Sequence, residues 1–319
     1  MEQKVVLIGE DVGHANLQRL QEAHPDLEFR LCLEAARFVA NAAEAEIIFS
    51  KQFPPGAIAA AQKLRWIQAG TAGVNHLLTQ GLAERNIVLT NARDAHGTPM
   101  AEQILAMMLA FATRLHTLIQ AQASGTRVNA QVIGEKFELA GQTLCVIGLG
   151  DIGGTLAHKA KQLGMRVIGV RRTTTAFPEI DELYTSDQLL AALPQADHVA
   201  LCLPLTVATK ALVGEKELRA MKPSAYIYNV GRGASIAANA LLQALQAGWI
   251  AGAGLDVTDP EPLPPTSPLW QMPNVILGQH TSGSSPYNAD RITTIFLDNL
   301  RRYQAGEPLR NVVDQTEGY

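Results

Sequence analysis

Residues 143–170 constrain this chain more tightly than any other stretch. Val146-Ile-Gly148-Leu149-Gly150-Asp151-Ile152-Gly153 sets three glycines in the pattern Gly-x-Gly-x-x-Gly. The pattern directly follows the apolar run Thr143–Ile147 and directly precedes a helix-period segment, Thr155–Leu163. A second apolar run, Arg166–Val170, comes next. Strand, tight turn, helix and strand in that order are the context in which three such glycines bind a dinucleotide. Gly148 permits the tight turn, Gly150 lets the main chain approach a pyrophosphate, and Gly153 lets helix and sheet pack closely. Free N–H groups at the start of the helix, over Leu149, Asp151 and Ile152, add a partial positive charge for the phosphates.

The end of the second strand selects the dinucleotide. A carboxylate there would accept hydrogen bonds from the ribose 2′-hydroxyl of NAD. The chain instead reads Val170-Arg171-Arg172-Thr173-Thr174-Thr175. Two guanidinium groups and a cluster of hydroxyls suit a 2′-phosphate by charge and by fork geometry, so NADP is expected, with NADPH preferred over NADH.

Short apolar runs alternate with helix-period segments along most of the chain, the pattern of parallel sheets with crossover helices. Strands are expected at Val5–Ile8, Leu27–Leu31, Ala45–Phe49, Trp66–Ala69 and Ile87–Leu89. One long helix is expected from about Pro99 to Gln122, with Ile104, Met107, Met108 and Phe111 at helical spacing. Later strands are expected at Thr143–Ile147, Arg166–Val170, His198–Leu201, Ala225–Asn229, Ala251–Asp256 and Val275–Leu277, and a last helix over Ser285–Tyr303. A length of 319 residues fits two domains. The expected fold is α/β, with two Rossmann-like parallel-sheet domains. The cofactor domain, 99–285, is inserted into a discontinuous substrate domain, 1–98 and 286–319.

Composition narrows the partners. With 26 Lys and Arg against 30 Asp and Glu the formal charge is −4, which invites neither nucleic acid nor an anionic membrane. Three cysteines, Cys32, Cys145 and Cys202, argue for buried thiols in a reducing compartment rather than a disulfide framework. The apolar run near the N-terminus stops at Gly9 and reads as a first strand, not a signal peptide, so a cytoplasmic protein is expected. No metal-ligand spacing is recognisable.

Three polar residues follow expected strands in otherwise apolar or glycine-rich segments: Arg232 in Asn229-Val-Gly-Arg-Gly, Glu261 in Asp256-Val-Thr-Asp-Pro-Glu-Pro, and His280 in Leu277-Gly-Gln-His. Carboxyl ends of parallel strands face the ligand crevice, so the three are expected to converge beside the dinucleotide. Together they suit hydride transfer to a 2-oxo acid. Arg232 can clamp the substrate carboxylate and polarise the carbonyl. His280 can protonate the developing alkoxide, and Glu261 beside it favours the charged imidazolium.

Over nearly its whole length the sequence resembles the D-isomer-specific 2-hydroxyacid dehydrogenases, the group that contains glyoxylate/hydroxypyruvate reductases. The resemblance rests on Gly148–Gly153, Leu201-Cys-Leu203-Pro204-Leu-Thr, Asn229–Gly233, Gly254–Pro262 with Ser267-Pro-Leu-Trp270, and His280, and earlier on Gln68–Asn75 and Asn91 through Glu102. It implies that Arg232, Glu261 and His280 are the catalytic residues. It implies a substrate loop at Thr71–Val74, in which Ala72, Gly73 and Val74 bind substrate along with Arg232 and His280. Leu203, Pro204, Thr209, Val230, Gly231, Asp256, His280 and Ser282 would line the cofactor cleft, with Asp256 near the nicotinamide amide. It further implies closure on binding and a homodimer formed through the cofactor domain. Gln279 departs from the Pro that many members carry before the histidine. The expected activity is reduction of a small 2-oxo acid by NADPH. Two alternatives stay open: a 3-phosphoglycerate dehydrogenase-like enzyme, and a non-catalytic dinucleotide-sensing interaction protein.

Overall fold

Apolar runs become strands because their alternate side chains feed two cores at once. In a computed structural model describing residues 3–78, 81–173, 175–316 and 318, the chain folds as two compact units. Unit 1 is built from Met1–His96 and Ser285–Tyr319, and unit 2 from Gly97–Ser284.

Unit 1 carries a parallel sheet of β1 (Lys4–Ile8), β2 (Leu27–Leu31), β3 (Ala45–Ser50), β4 (Trp66–Ala69) and β5 (Val88–Thr90), in the order β2-β1-β3-β4-β5. Alternate residues point to opposite faces of a strand. Val6, Ile8, Ile47, Phe49 and Trp66 therefore enter one core with Ile292, Ile295, Phe296 and Leu300 of the last helix, Asn288–Ala305. Leu7, Ile48, Ile67 and Leu89 enter the other, with Phe38 and Ile58. Both faces are covered, which is why the strands are continuous apolar runs. Near the C-terminus Val313 donates its N–H to Leu89 O at 2.8 Å and runs beside β5.

Unit 2 carries β6 (Thr143–Ile147), β7 (Arg166–Arg171), β8 (Glu182–Thr185), β9 (His198–Leu201), β10 (Tyr226–Asn229), β11 (Gly252–Leu255) and β12 (Val275–Leu277). Its order is β12-β11-β10-β9-β6-β7-β8, all parallel. Strand order reverses between β6 and β9, the switch point at which a doubly wound sheet binds its ligand. The three cysteines are buried and unpaired, and burial pushes the Cys145 and Cys202 thiols up to about 12.

Two expectations need correction. Strand β8 was not anticipated: Glu182–Thr185 is a short, half-exposed edge strand with a polar sequence. The helix expected from 99 to 122 is two helices, Gly97–Ala112 and Leu115–Ser124, meeting at 69°. Arg114 between them adopts a left-handed φ of 59°. Its guanidinium is paired with Glu135 at 2.6 Å, so a contact remote in sequence stabilises a turn that no Pro or Gly announces.

Candidate active site

The glycine loop is shaped by close approach. Gly148 has φ 96° and donates its N–H to Val170 O at 2.9 Å. A Cβ on Gly153 would fall 1.9 Å from Gly148 O, so no other residue fits where the helix Asp151–Gln162 meets the turn. Gly150 differs: a Cβ there would meet nothing within 4 Å. That open side, at a helix start with no side-chain cap, leaves main-chain N–H groups available to phosphate oxygens. The cradle thus fits a dinucleotide. Leu149 is buried against Gly169, and Ile152 is half-buried.

Arg171 ends β7 and Arg172 and Thr173 are exposed beyond it. Arg171 Nη1 reaches Thr175 O at 3.4 Å. Thr174 of the hydroxyl cluster lies outside the described residues.

Arg232 stands past β10 on a loop fixed by Asn229. The buried Asn229 side chain accepts from Gly231 N at 3.0 Å and donates to Arg232 O at 2.9 Å. The guanidinium is held over its own loop by a 2.8 Å bond from Nη1 to Gly231 O. Burial lowers its pKa from the ordinary value, while the Glu261 carboxylate pulls it back up. A Cβ on Gly233 would lie 1.9 Å from Thr258 O, so the loops bearing Arg232 and Glu261 press main chain to main chain.

His280 stands past β12, and its Nδ1 is hydrogen-bonded to Glu261 Oε1. Both Gln279 and His280 take left-handed φ values, 54° and 57°. Asp256 explains how that conformation is held. Its main-chain carbonyl accepts from His280 N at 2.6 Å, and its carboxylate accepts from Thr281 N at 2.9 Å and Ser282 N at 3.2 Å, and from the Ser282 hydroxyl. Asp256 and Ser282 are buried, at 2% and 3% exposure, with their polar atoms directed at one another. Glu261, His280, Leu263, Trp270 and Leu277 line a cavity of about 460 Å³ with Asp256 among its walls.

The remaining residues expected along the cofactor cleft sit at the ends of neighbouring strands. Leu203 follows β9 with its Cδ2 against Gly148, and its carbonyl lies against Gly231. Thr209 Oγ1 donates to Pro204 O at 2.6 Å, closing the turn after β9. Val230 is buried. In unit 1 the loop after β4 is braced from within: Asn91 Nδ2 donates to Ala72 O at 2.9 Å and Thr71 Oγ1 to Gly73 O at 3.0 Å, while Val74 is buried. Sequence reading missed Asn229 as a positioning residue. The available signal was a polar side chain closing the apolar run Tyr226-Ile-Tyr.

Comparison with known proteins agrees with this construction. The D-isomer specific 2-hydroxyacid dehydrogenase NAD-binding domain matches residues 105–282. A glyoxylate reductase of Korarchaeum cryptofilum is 33% identical over 263 residues, covering 80% of this chain and 78% of that protein. A crystal structure of a D-isomer specific 2-hydroxyacid dehydrogenase family protein from Aeromonas salmonicida superposes with a TM-score of 0.87 at 32% identity, over 98% of this chain and 100% of that one. An NADPH-dependent glyoxylate/hydroxypyruvate reductase from Sinorhizobium meliloti, in complex with NADP and sulfate, superposes at 0.85 with 25% identity, over 99% and 100%.

Proposed function

The chain belongs to the D-isomer specific 2-hydroxyacid dehydrogenase family, and we propose that it reduces a small 2-oxo acid, glyoxylate, hydroxypyruvate or similar, to the D-2-hydroxy acid with NADPH. The observation that carries this reading is the bond between His280 Nδ1 and Glu261, on loops past β12 and β11, with the Arg232 guanidinium in the field of the same carboxylate.

In this reading Arg232 takes the substrate carboxylate through its guanidinium fork. Glu261 accepts the Nδ1–H of His280, which fixes the orientation of the ring. The imidazolium then presents Nε2–H to the substrate carbonyl oxygen and protonates it as negative charge develops there. The bound nicotinamide supplies the hydride. Ala72, Gly73 and Val74 keep the substrate-binding role that the family resemblance implies for their loop. NADPH rather than NADH is supported by Arg171 and Arg172 at the end of β7, where a carboxylate would otherwise read the ribose. The Sinorhizobium meliloti neighbour binds NADP by its own description.

A homodimer through unit 2 belongs to the same proposal. Leu115, Ile119 and Ile133 are 49%, 57% and 66% exposed on two helices successive in the chain, large apolar side chains that a second copy would cover. Ile119→Asp with Ile133→Asp should shift the protein to monomer in sedimentation. The three buried thiols support a cytoplasmic setting.

The decisive assay follows NADPH absorbance with purified protein and glyoxylate, hydroxypyruvate, pyruvate or phenylpyruvate. Turnover with at least one, lost in His280→Ala with NADPH affinity retained, is the expected result. Tight NADPH binding with no turnover of any 2-oxo acid would refute it.

A further inference from the structure

The chain that leaves β7 comes back onto the helix that begins at the glycine turn. Beyond Arg171 and Arg172 the next large apolar residue is Phe177, half-buried between the exposed Ala176 and Pro178. Its ring tip stands against Gly154, where a Cβ would fall 2.7 Å from Cζ. Glu179 Oε1 lies 3.4 Å from His158 Nδ1, and Asp181 takes Lys161 Nζ at 2.8 Å. Gly154, His158 and Lys161 are spaced four and three residues apart along the helix Asp151–Gln162, so they share one face of it. Every second residue from Phe177 to Asp181 thus fastens the returning segment to that face.

The same segment is fixed from the sheet side. Ile180 packs on Gly169 of β7, where a Cβ would fall 3.3 Å from its Cδ1. Asp181 grips β7 twice, donating its N–H to Val167 O at 2.8 Å and accepting the Val167 N–H on its carboxylate at 2.7 Å. Ile180 N donates to Phe177 O at 3.1 Å, closing a turn with Pro178 at its second position. Arg171 and Arg172 therefore stand between two anchors, β7 before them and Phe177 after.

That arrangement bears on cofactor choice. In a dinucleotide fold the pyrophosphate lies at the helix N-terminus and the ribose at the end of the second strand. A reader of the 2′-phosphate must therefore stand at a set distance from the pyrophosphate cradle. Phe177 ties the arginine-bearing stretch to the first turn of the cradle's own helix. We propose that Phe177 is a positioning residue for recognition of the 2′-phosphate. Seated on Gly154, it holds Arg171 and Arg172 in place before the cofactor arrives, so binding has less side-chain and loop freedom to remove. The inference rests on the NADPH reading and adds to it a residue that acts through the arginines.

Calorimetric binding of NADP+ and NAD+, which differ by that phosphate alone, tests this without turnover. Wild type should bind NADP+ tighter by about tenfold or more. Phe177→Ala should weaken NADP+ by about tenfold and NAD+ by less than about twofold. Phe177→Leu keeps an apolar contact with Gly154 and should restore most of the difference. Gly154→Ala puts a methyl group where the ring tip sits and should weaken NADP+ likewise. Combined with Phe177→Ala it should add nothing, because the ring is already gone. Limited trypsin digestion reads the anchoring itself: cleavage after Arg171 and Arg172 should run several-fold faster in Phe177→Ala than in wild type. Equal losses for the two dinucleotides, or a preference for NADP+ that survives Phe177→Ala, overturn the positioning role and leave the NADPH reading standing. Unchanged cleavage overturns the role as well, since the ring would then anchor nothing. Equal binding of both dinucleotides by wild type overturns the NADPH reading, and the positioning role with it.

Discussion

Asp256 holds His280 by its backbone: its carbonyl accepts the His280 N–H at 2.6 Å while its carboxylate binds the two residues that follow. Left-handed φ at a non-glycine residue persists only where surrounding bonds over-determine it, and here a single buried aspartate supplies them.

Asp256→Asn replaces one accepting oxygen by a donor facing the Ser282 N–H. We expect kcat to fall about a hundredfold through misplacement of the imidazole, with a smaller loss of NADPH affinity. Stopped-flow binding alongside steady-state kinetics checks this. A primary loss of NADPH affinity would instead mark Asp256 as a cofactor contact.

Glu261→Gln keeps the shape of the His280 partner and removes its charge. Turnover should drop about 10²- to 10⁴-fold, as for other general acid–base groups. Because the pair acts as a unit, Glu261→Gln combined with His280→Ala should be no slower than His280→Ala alone. Additive losses would show that the two act independently.

Arg171→Ala and Arg172→Ala should raise the NADPH KM by about tenfold or more, the scale of one charge-assisted hydrogen bond, and leave the NADH KM within about twofold. Equal effects on both cofactors would remove the argument for a 2′-phosphate contact.

His198 gives unit 2 a pH dependence of its own. It is fully buried, bonded to Tyr228 OH at 3.0 Å and Gln142 Oε1 at 2.6 Å, and burial takes its pKa down to about 4. In the unfolded chain the ring titrates near ~6.5. The folded value is the lower one, so this contribution is whole above the unfolded pKa and is lost as pH falls towards about 4. Urea midpoints should therefore decline from pH 7 to pH 4.5, by roughly 2–3 kcal/mol from this group. His198→Gln, which keeps a donor for Gln142, should flatten that decline; an unchanged slope would assign it to other groups.

Much of the fold was legible because buried parallel strands are written as apolar runs. The exceptions are instructive. Glu182-Leu-Tyr-Thr is an edge strand with one neighbour, β7, so its sequence carries no run to detect. The break at Arg114 depends on Glu135, a partner with no local signature. At the candidate site, residue type and position past a strand marked Arg232, Glu261 and His280, and the structure shows the His280–Glu261 bond. What the sequence left hidden was how the loops are held. Asn229 and Asp256 look like ordinary strand-end polar residues until their hydrogen bonds are traced.

The contact between Gly233 and the Thr258 carbonyl sets a limit on how such an enzyme can diversify. With less than 2 Å for even a methyl group, the spacing of the two loops is dictated by backbone alone. Mutational drift can repaint the rim that meets a new molecule, but it cannot widen the gauge between guanidinium and carboxylate without prising apart two peptide planes. Directed evolution towards bulkier acids should accordingly draw its gains elsewhere and return glycine at this position.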